Sequence, residues 1–251
     1  MRSTFLCILA TLLFAGLAMA DWDLVYECDK LPENATPAWA AKNNNEPNGT
    51  QGSIIADPDN PGNNIYYIND LAGAKTGRVV PLEADLSVGL TIVARVKCTS
   101  GGHVQSFNIG WYDEGYTCAE CVIWPNHFQL GRGSDTPITE EFDIDGSEWH
   151  VYRITAEGND VTVYVDEDTK PKIDSKTLED AGKGNKNPGV AIGSQSTSGT
   201  QEIYFDYVLA DLSGAYAPGE GTRIPANLIG GKSVEPAGKL AATWGIIKAE
   251  N

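Results

Sequence analysis

Hydrophobic and polar residues alternate most clearly between Trp149 and Asp166. Trp149, Val151, Arg153 and Thr155 fall on one face of an extended run, and His150, Tyr152, Ile154 and Ala156 on the other. After Gly158-Asn159-Asp160, Val161, Val163 and Val165 oppose Thr162 and Tyr164. Two β-rich runs, 149–157 and 161–166, around a Gly/Asn/Asp turn predict a hairpin. The same period of two recurs at 89–98, where Leu90, Ile92, Ala94 and Val96 oppose Thr91, Val93, Arg95 and Lys97. It recurs again at 201–212, with Ile203, Phe205, Tyr207 and Leu209 against Tyr204, Asp206, Val208 and Ala210. Shorter strands are expected at 21–28, 63–69, 77–83, 103–113, 121–130 and 188–193, with a polar loop at 30–52. No window sustains the i, i+3, i+4, i+7 apolar spacing of a helix. The expected fold class is therefore all-β, a two-sheet antiparallel β-sandwich.

The ends of the chain do not share this pattern. Arg2 is the only charge in the first twenty residues, 5–17 is nearly all apolar, and Ala18-Met19-Ala20 is a small-x-small cleavage site. Residues 1–20 read as a secretory signal peptide. The apolar core is shorter than the ~18 residues a spanning helix needs, and no later segment reaches that length. A secreted, periplasmic or cell-surface product with no membrane span is expected. The sandwich is placed at 21–213. Residues 214–251 are expected to form a Gly/Pro-rich linker and a C-terminal tail, with a short apolar stretch around Trp244 that adds an edge strand or serves retention at a surface.

Charge narrows the partners. Without Arg2 the chain carries 17 basic and 34 acidic residues, a net charge of −17. Such a surface repels nucleic acid and anionic membranes and attracts divalent cations. Cys28, Cys98, Cys118 and Cys121 remain after the signal, an even number for an oxidising compartment. Four cysteines allow three pairings. Cys118–Cys121 and Cys28–Cys98 are the favoured structural bridges, since neither a βαβ redox pattern nor a second zinc-ligand pair accompanies Cys118-Ala-Glu-Cys121.

The hairpin W-H-x-Y-R-I-T-x-x-G-N-x-V-x-V-Y-V-D at 149–166 and the run I-Y-F-D-Y-V-L-A-D at 203–211 resemble the central hairpin and final strand of concanavalin A-like jelly rolls. That superfamily includes LamG-like modules, legume-type lectins and laminarinase-type glucanases. The matching segments cover roughly 21–212. The resemblance implies a jelly-roll sandwich with a sugar-binding groove.

Whether such a groove cuts its ligand depends on carboxylates. A retaining glycosidase needs two of them about 5 Å apart, and laminarinase-type enzymes supply them from a strand resembling E-[I/L]-D-[I/F]-x-E. Glu141-Phe-Asp143-Ile-Asp145 has that spacing, but Asp145 lies only four residues before Trp149 and ends in Asp rather than Glu. In the family the catalytic strand stands much further upstream. There this chain offers Asp113, Glu114 and Glu120, interrupted by glycine and cysteines. Lyase-type R-x-E-L and Q-x-H patterns are missing, as are nucleophile elbows, H-E-x-x-H and phosphate loops. No catalytic residues are expected, and 140–145 reads as a loop or strand edge.

Sugar binding asks for apolar platforms beside a few placed polar groups. Trp111, Tyr112 and Trp124 are the candidate platforms, with Gln105, Asn108, Asn126, His127 and Arg132 as polar partners. His150 belongs to the hairpin pattern and is expected to be structural. Asp57 and Asp59, in an Asp/Asn/Pro/Gly loop, are candidate ligands for a structural Ca2+. The resemblance adds Asp206 to that set. The function expected from the sequence is a secreted, non-catalytic module that binds polysaccharide or another extracellular glycan. The alternatives are a divergent glycoside hydrolase or polysaccharide lyase using Glu141 or Asp143, and an adhesion module tethered by its tail.

Overall fold

The computed structural model describes residues 21–41, 52–70, 76–101, 109–112, 118–131, 140–178, 189–193 and 200–229. Within them fifteen strands form, and the single helical turn is a 3-10 turn at Pro32–Asn34. In chain order the strands are β1 (Leu24–Tyr26), β2 (Ala40–Ala41), β3 (Gly52–Ala56), β4 (Asn64–Asp70), β5 (Arg78–Val80), β6 (Leu90–Gly101), β7 (Ile109–Tyr112) and β8 (Cys118–Ile123). They continue as β9 (His127–Gly131), β10 (Glu140–Asp143), β11 (His150–Glu157), β12 (Asp160–Val165), β13 (Ile173–Thr177), β14 (Gly189–Ile192) and β15 (Gln201–Asp211).

Two antiparallel sheets make a sandwich. One has eight strands in the order β13-β12-β11-β6-β15-β4-β3, with β1 also paired to β15. The other has seven, in the order β10-β9-β8-β7-β14-β5-β2. The alternation along β6, β11 and β12 decides which side chains meet between them. Leu90, Ile92, Ala94, Val96, Tyr152, Ile154, Val161, Val163 and Val165 all enter one core, opposite Ile109, Trp111, Cys121, Ile123, Phe128, Leu130, Val190 and Ile192 of the second sheet. Each large side chain in such a core contributes about 1.5–3 kcal/mol on leaving water. Phe128 stacks between Phe142 and Tyr152, at centroid distances of 4.9 and 5.5 Å, and so joins the two sheets.

The alternation along β15 is not uniform. Ile203 and Phe205 face the core as expected, but beyond them Val208 and Ala210 do, while Tyr207 and Leu209 face outward. Phe205 pairs with Val96 and Tyr207 with Arg95, so Asp206 is one residue too many for the ladder. A β-bulge of this kind reverses the faces of everything after it. The outward Tyr207 and Leu209 then cluster with Val93 and Val151, and Trp22, Ile224 and Leu228 pack over them.

That covering segment, which follows residue 213, is tied to the eight-stranded sheet by hydrogen bonds. Gly214 O accepts from Thr91 Oγ1 at 2.8 Å, and Tyr216 N donates back to the same hydroxyl at 2.8 Å. Arg153 donates to Tyr216 O, and Trp22 Nε1 donates to Arg223 O at 2.9 Å. Residues 214–229 are thus a strap across the eight-stranded sheet. Residues 1–20, expected to be a signal peptide, and residues 230–251 of the expected tail lie outside the described residues. Among those described, no helix is long and apolar enough to cross a membrane.

The expected disulfides do not form among the described residues, where Cys28, Cys98 and Cys121 are free buried thiols. Cys28 follows β1 and Cys98 lies on β6, strands that flank β15 on opposite sides. That is about 10 Å of sheet, beyond the ~7 Å Cα separation a disulfide can bridge. Cys118 and Cys121 stand three residues apart on one strand, again about 10 Å at ~3.4 Å per residue. The run at 121–130 is also two strands rather than one, because Trp124-Pro125-Asn126 forms a turn closed by Trp124 N donating to His127 O at 2.9 Å.

Candidate functional site

The outward face of the seven-stranded sheet gathers polar and aromatic side chains around β8, β9 and β10. With Cys121, Ile123, Phe128, Leu130 and Phe142 turned inward, alternation turns Glu120, Val122, His127, Gln129, Glu141 and Asp143 outward. Glu141 pairs with Gln129, Asp143 with His127, and Glu120 with Gly131.

The turn between β8 and β9 lays two rings on this face. Trp124 stacks on His127 with centroids 5.0 Å apart and planes inclined by 15°. Trp124 Nε1 donates to Gln129 Oε1 at 2.9 Å, and Gln129 Nε2 donates to Glu141 Oε2 at 3.3 Å. His127 Nδ1 sits 2.9 Å from Asn126 Oδ1, so Nδ1 carries the proton and Nε2 is left as an acceptor in the neutral ring. Gln129 is buried while Trp124 and His127 stay half-buried. The amide therefore fixes the indole from below and leaves part of it open to a ligand. Gly146 holds the turn from behind: a Cβ there would lie 2.0 Å from Trp124 O, and Gly146 O accepts from Cys98 N at 2.7 Å.

Of the sequence candidates, Trp124, Asn126 and His127 are brought together here. Trp111 is not a platform. It is 2% exposed and pairs with Ala119 and Val190, both core residues, so strand alternation sends its ring inward. Tyr112 follows it on β7, paired with Gly189 and Cys118. Gln105, Asn108 and Arg132 lie outside the described residues. Gln129 and Glu120 were not among the expected binding residues. Gln129 stands two residues after His127 on a strand, and that spacing alone assigns it to the same face.

Three carboxylates, Glu120, Glu141 and Asp143, share this face. Glu120, 6% exposed, is on β8, and Glu141 is on β10, with β9 and its Gln129 between them. Their backbones lie two strands and two residues apart, roughly 12 Å from ordinary strand spacing and rise.

The three aspartates expected to hold calcium cluster on the other sheet. Asp206 takes Arg95 Nη1 at 2.6 Å and the amide of Asn63. Asp59 takes Lys97 Nζ at 2.9 Å. Asp57 accepts from Asp59 N, and its Oδ2 is buried without a hydrogen-bond donor. Two of the three are already neutralised by cations, and no group of three or more His, Cys, Asp or Glu among the described residues could hold a metal ion. The trio does not fit a shared Ca2+. Oxygen donors do line a small adjacent cavity of about 280 Å³, formed by Glu27, Asp29, Asn60, Asn63, Asp206 and Asn227.

His150 is engaged at both nitrogens. Nδ1 lies 2.8 Å from Asp166 Oδ2, and Nε2 lies 3.0 Å from Asp145 O. Burial pulls its pKa down, but the hydrogen bond and charge of Asp166 outweigh this and raise it above the ordinary histidine value.

No family model and no curated protein matches the chain. Solved structures do. The carbohydrate esterase of the Shiga toxin-encoding bacteriophage phi24B is similar with a TM-score of 0.51 and 14% identity, over 77% of this chain and 99% of that one. Domain 4 of an extracellular arabinanase from Geobacillus stearothermophilus, solved with arabinotriose, gives 0.47 and 16% over 68% and 79%. A beta-1,3-glucanase from Mycobacterium marinum gives 0.42 and 12% over 76% and 99%. These neighbours are carbohydrate-active proteins, and at such identities the likeness to the phage protein is one of β-sandwich fold.

Proposed function

We propose that the chain is a secreted, non-catalytic carbohydrate-binding module of the LamG-like, concanavalin A-like type, and that a polysaccharide lies across the outward face of the seven-stranded sheet. The observation that carries this reading is the Trp124–Gln129–Glu141 relay. An indole held by a buried amide is a rigid surface for the C–H face of a sugar, at low entropic cost to the protein. Asn126, His127 and Glu141 surround it with hydrogen-bonding groups for hydroxyls. Retention of the mature chain on gels cast with a panel of polysaccharides tests the reading. Trp124→Ala should weaken retention about tenfold or more, and no retention of the wild type on any gel would refute it.

Glu120 and Glu141 on one face favour a second reading, a divergent glycoside hydrolase. Sugar release from the same polysaccharides, lost in both Glu120→Gln and Glu141→Gln, would replace binding with hydrolysis.

A further inference from the structure

A row of hydroxyl and carboxyl side chains crosses the outward face of the eight-stranded sheet, on the opposite side of the molecule from Trp124. Asp211, Thr91, Thr155 and Thr162 are successive partners across β15, β6, β11 and β12. Most of the row is satisfied within the protein. Asp211 receives Thr222 Oγ1 and Ser213 N, Thr91 is bound twice by the strap, and Thr162 Oγ1 accepts from Ser175 N at 3.1 Å. Thr155 stands in the middle, 6% exposed, and its hydroxyl has no hydrogen-bond partner among the described residues.

Thr155 lines a groove of about 750 Å³ that runs between the sheet and the strap. The groove is within the ~300–1,000 Å³ range of small-molecule sites. Tyr164 presents a half-buried ring in it, and Glu157, Asp160 and Glu220 stand at its sides. Among the described residues no Lys, Arg or His lines it. Arg153, the nearest cation by register to Tyr164, is held by both oxygens of Glu167, at 2.9 and 2.7 Å.

We propose that this groove is a second carbohydrate site, taking a neutral saccharide whose hydroxyls bond Thr155 and the flanking carboxylates while a C–H face lies on Tyr164. The Thr155 hydroxyl opens onto the groove, so a sugar hydroxyl can bond it without breaking a contact within the protein. Three carboxylates accept from neutral sugar hydroxyls and repel uronic acids and sulfated glycans. With Trp124 on the far sheet, the module could hold two chains at once and gain avidity on a solid polysaccharide.

The test is an NMR titration of the mature chain with laminarihexaose, cellohexaose, xylohexaose, mannohexaose and, as the acidic probe, hexagalacturonate. At least one neutral hexaose should move the amides of Thr155, Gly158, Thr162 and Tyr164, in the wild type and equally in Trp124→Ala. Tyr164→Ala should weaken that response about tenfold or more, a loss of ~1.4 kcal/mol. Glu157→Gln, at an exposed position, should weaken it several-fold and serves if Tyr164→Ala disturbs the sheet. The proposal is overturned if no neutral hexaose moves these amides, if only hexagalacturonate does, or if both variants bind like wild type. Failure of the Trp124 site alone would show as shifts confined to the groove.

Discussion

Asp206 and Arg95 meet at 2.6 Å on the outward face of the eight-stranded sheet, with the guanidinium lying 4.5 Å from the centre of the Trp149 ring. Both are nearly buried, at 6% and 5% exposed. The bulge that inserts Asp206 into β15 is what brings its carboxylate beside a residue that pairs with Tyr207. Removing one partner leaves an uncompensated buried charge, whereas removing both leaves an apolar contact. Asp206→Ala should therefore cost about 3–5 kcal/mol, and Arg95→Met/Asp206→Leu should recover most of it. Urea unfolding measures both, and a single variant within about 1 kcal/mol of wild type would show that the pair contributes little.

The indole relay makes a graded prediction for binding. Trp124→Ala should lower polysaccharide affinity about tenfold or more, as loss of a central aromatic anchor does. Gln129→Leu keeps the volume but strands the indole N–H and Glu141, so affinity should fall several-fold with the ring still present. Affinity electrophoresis separates the two, and equal retention of Gln129→Leu and wild type would mean that the amide does not position the ring.

Gly146 offers a test that touches no ligand. Its missing Cβ would lie 2.0 Å from Trp124 O, a backbone atom that cannot rotate away. Gly146→Ala should move the turn, destabilise the fold by about 1–3 kcal/mol as overpacking does, and weaken glycan retention along with it. Unchanged melting and retention would mean that the turn yields freely.

His150 predicts a pH dependence. Its pKa in the folded protein is raised, because Asp166 outweighs burial. The pair's contribution is then complete below the unfolded histidine value of about 6.5 and is lost as pH rises through the folded value. Wild type should lose stability from slightly acid to mildly alkaline pH by this route. Asp166→Asn should flatten that slope and lower stability at pH 5.5 by about 1.5–3 kcal/mol, the usual worth of a hydrogen bond to a charged group. Urea melts across this range check it, and parallel slopes for the two proteins would remove His150 as the cause.

The thiols should be silent. Burial pushes Cys98 up to about 11, offset in part by Gln201 and Ser100, and it raises Cys28 and Cys121 as well. Thiolate is the reactive form. Iodoacetamide at pH 8 should leave all three unlabelled in the native protein and label them in denaturant. Mass spectrometry that finds Cys28 joined to Cys98 would contradict the strand order around β15.

Much of this was legible in the chain itself. Alternation put Tyr152 and Ile154 on one face of β11 and Arg153 and Thr155 on the other, and likewise gathered the valines of β12 on a single face, because one residue type after another agreed along regular strands. It failed at Asp206, where nothing in the sequence marks the extra residue, and so Tyr207 and Val208 exchanged faces. It misplaced Trp111 for a related reason: an aromatic beside Tyr112 can point either way, and only pairing with Ala119 and Val190 decides. The short strands β2, β3 and β13 were not read because their residues carry no strong period. Gln129 was overlooked although its spacing from His127 assigns it to the same face, because its bridging of Trp124 and Glu141 depends on which strands lie side by side.

The strap has one more consequence. Trp22 meets Arg223, and Asn227 Nδ2 reaches Glu27 Oε1 at 3.1 Å, so the opening and closing stretches of the folded body are stitched together on a single side. A short peptide should suffice to join Ile229 back to Asp21, and new ends could be cut at the exposed Gly158 hairpin tip without unpicking either sheet. Such a permuted chain would keep the Trp124 face, which lies on the other sheet, and open the groove at Gly158.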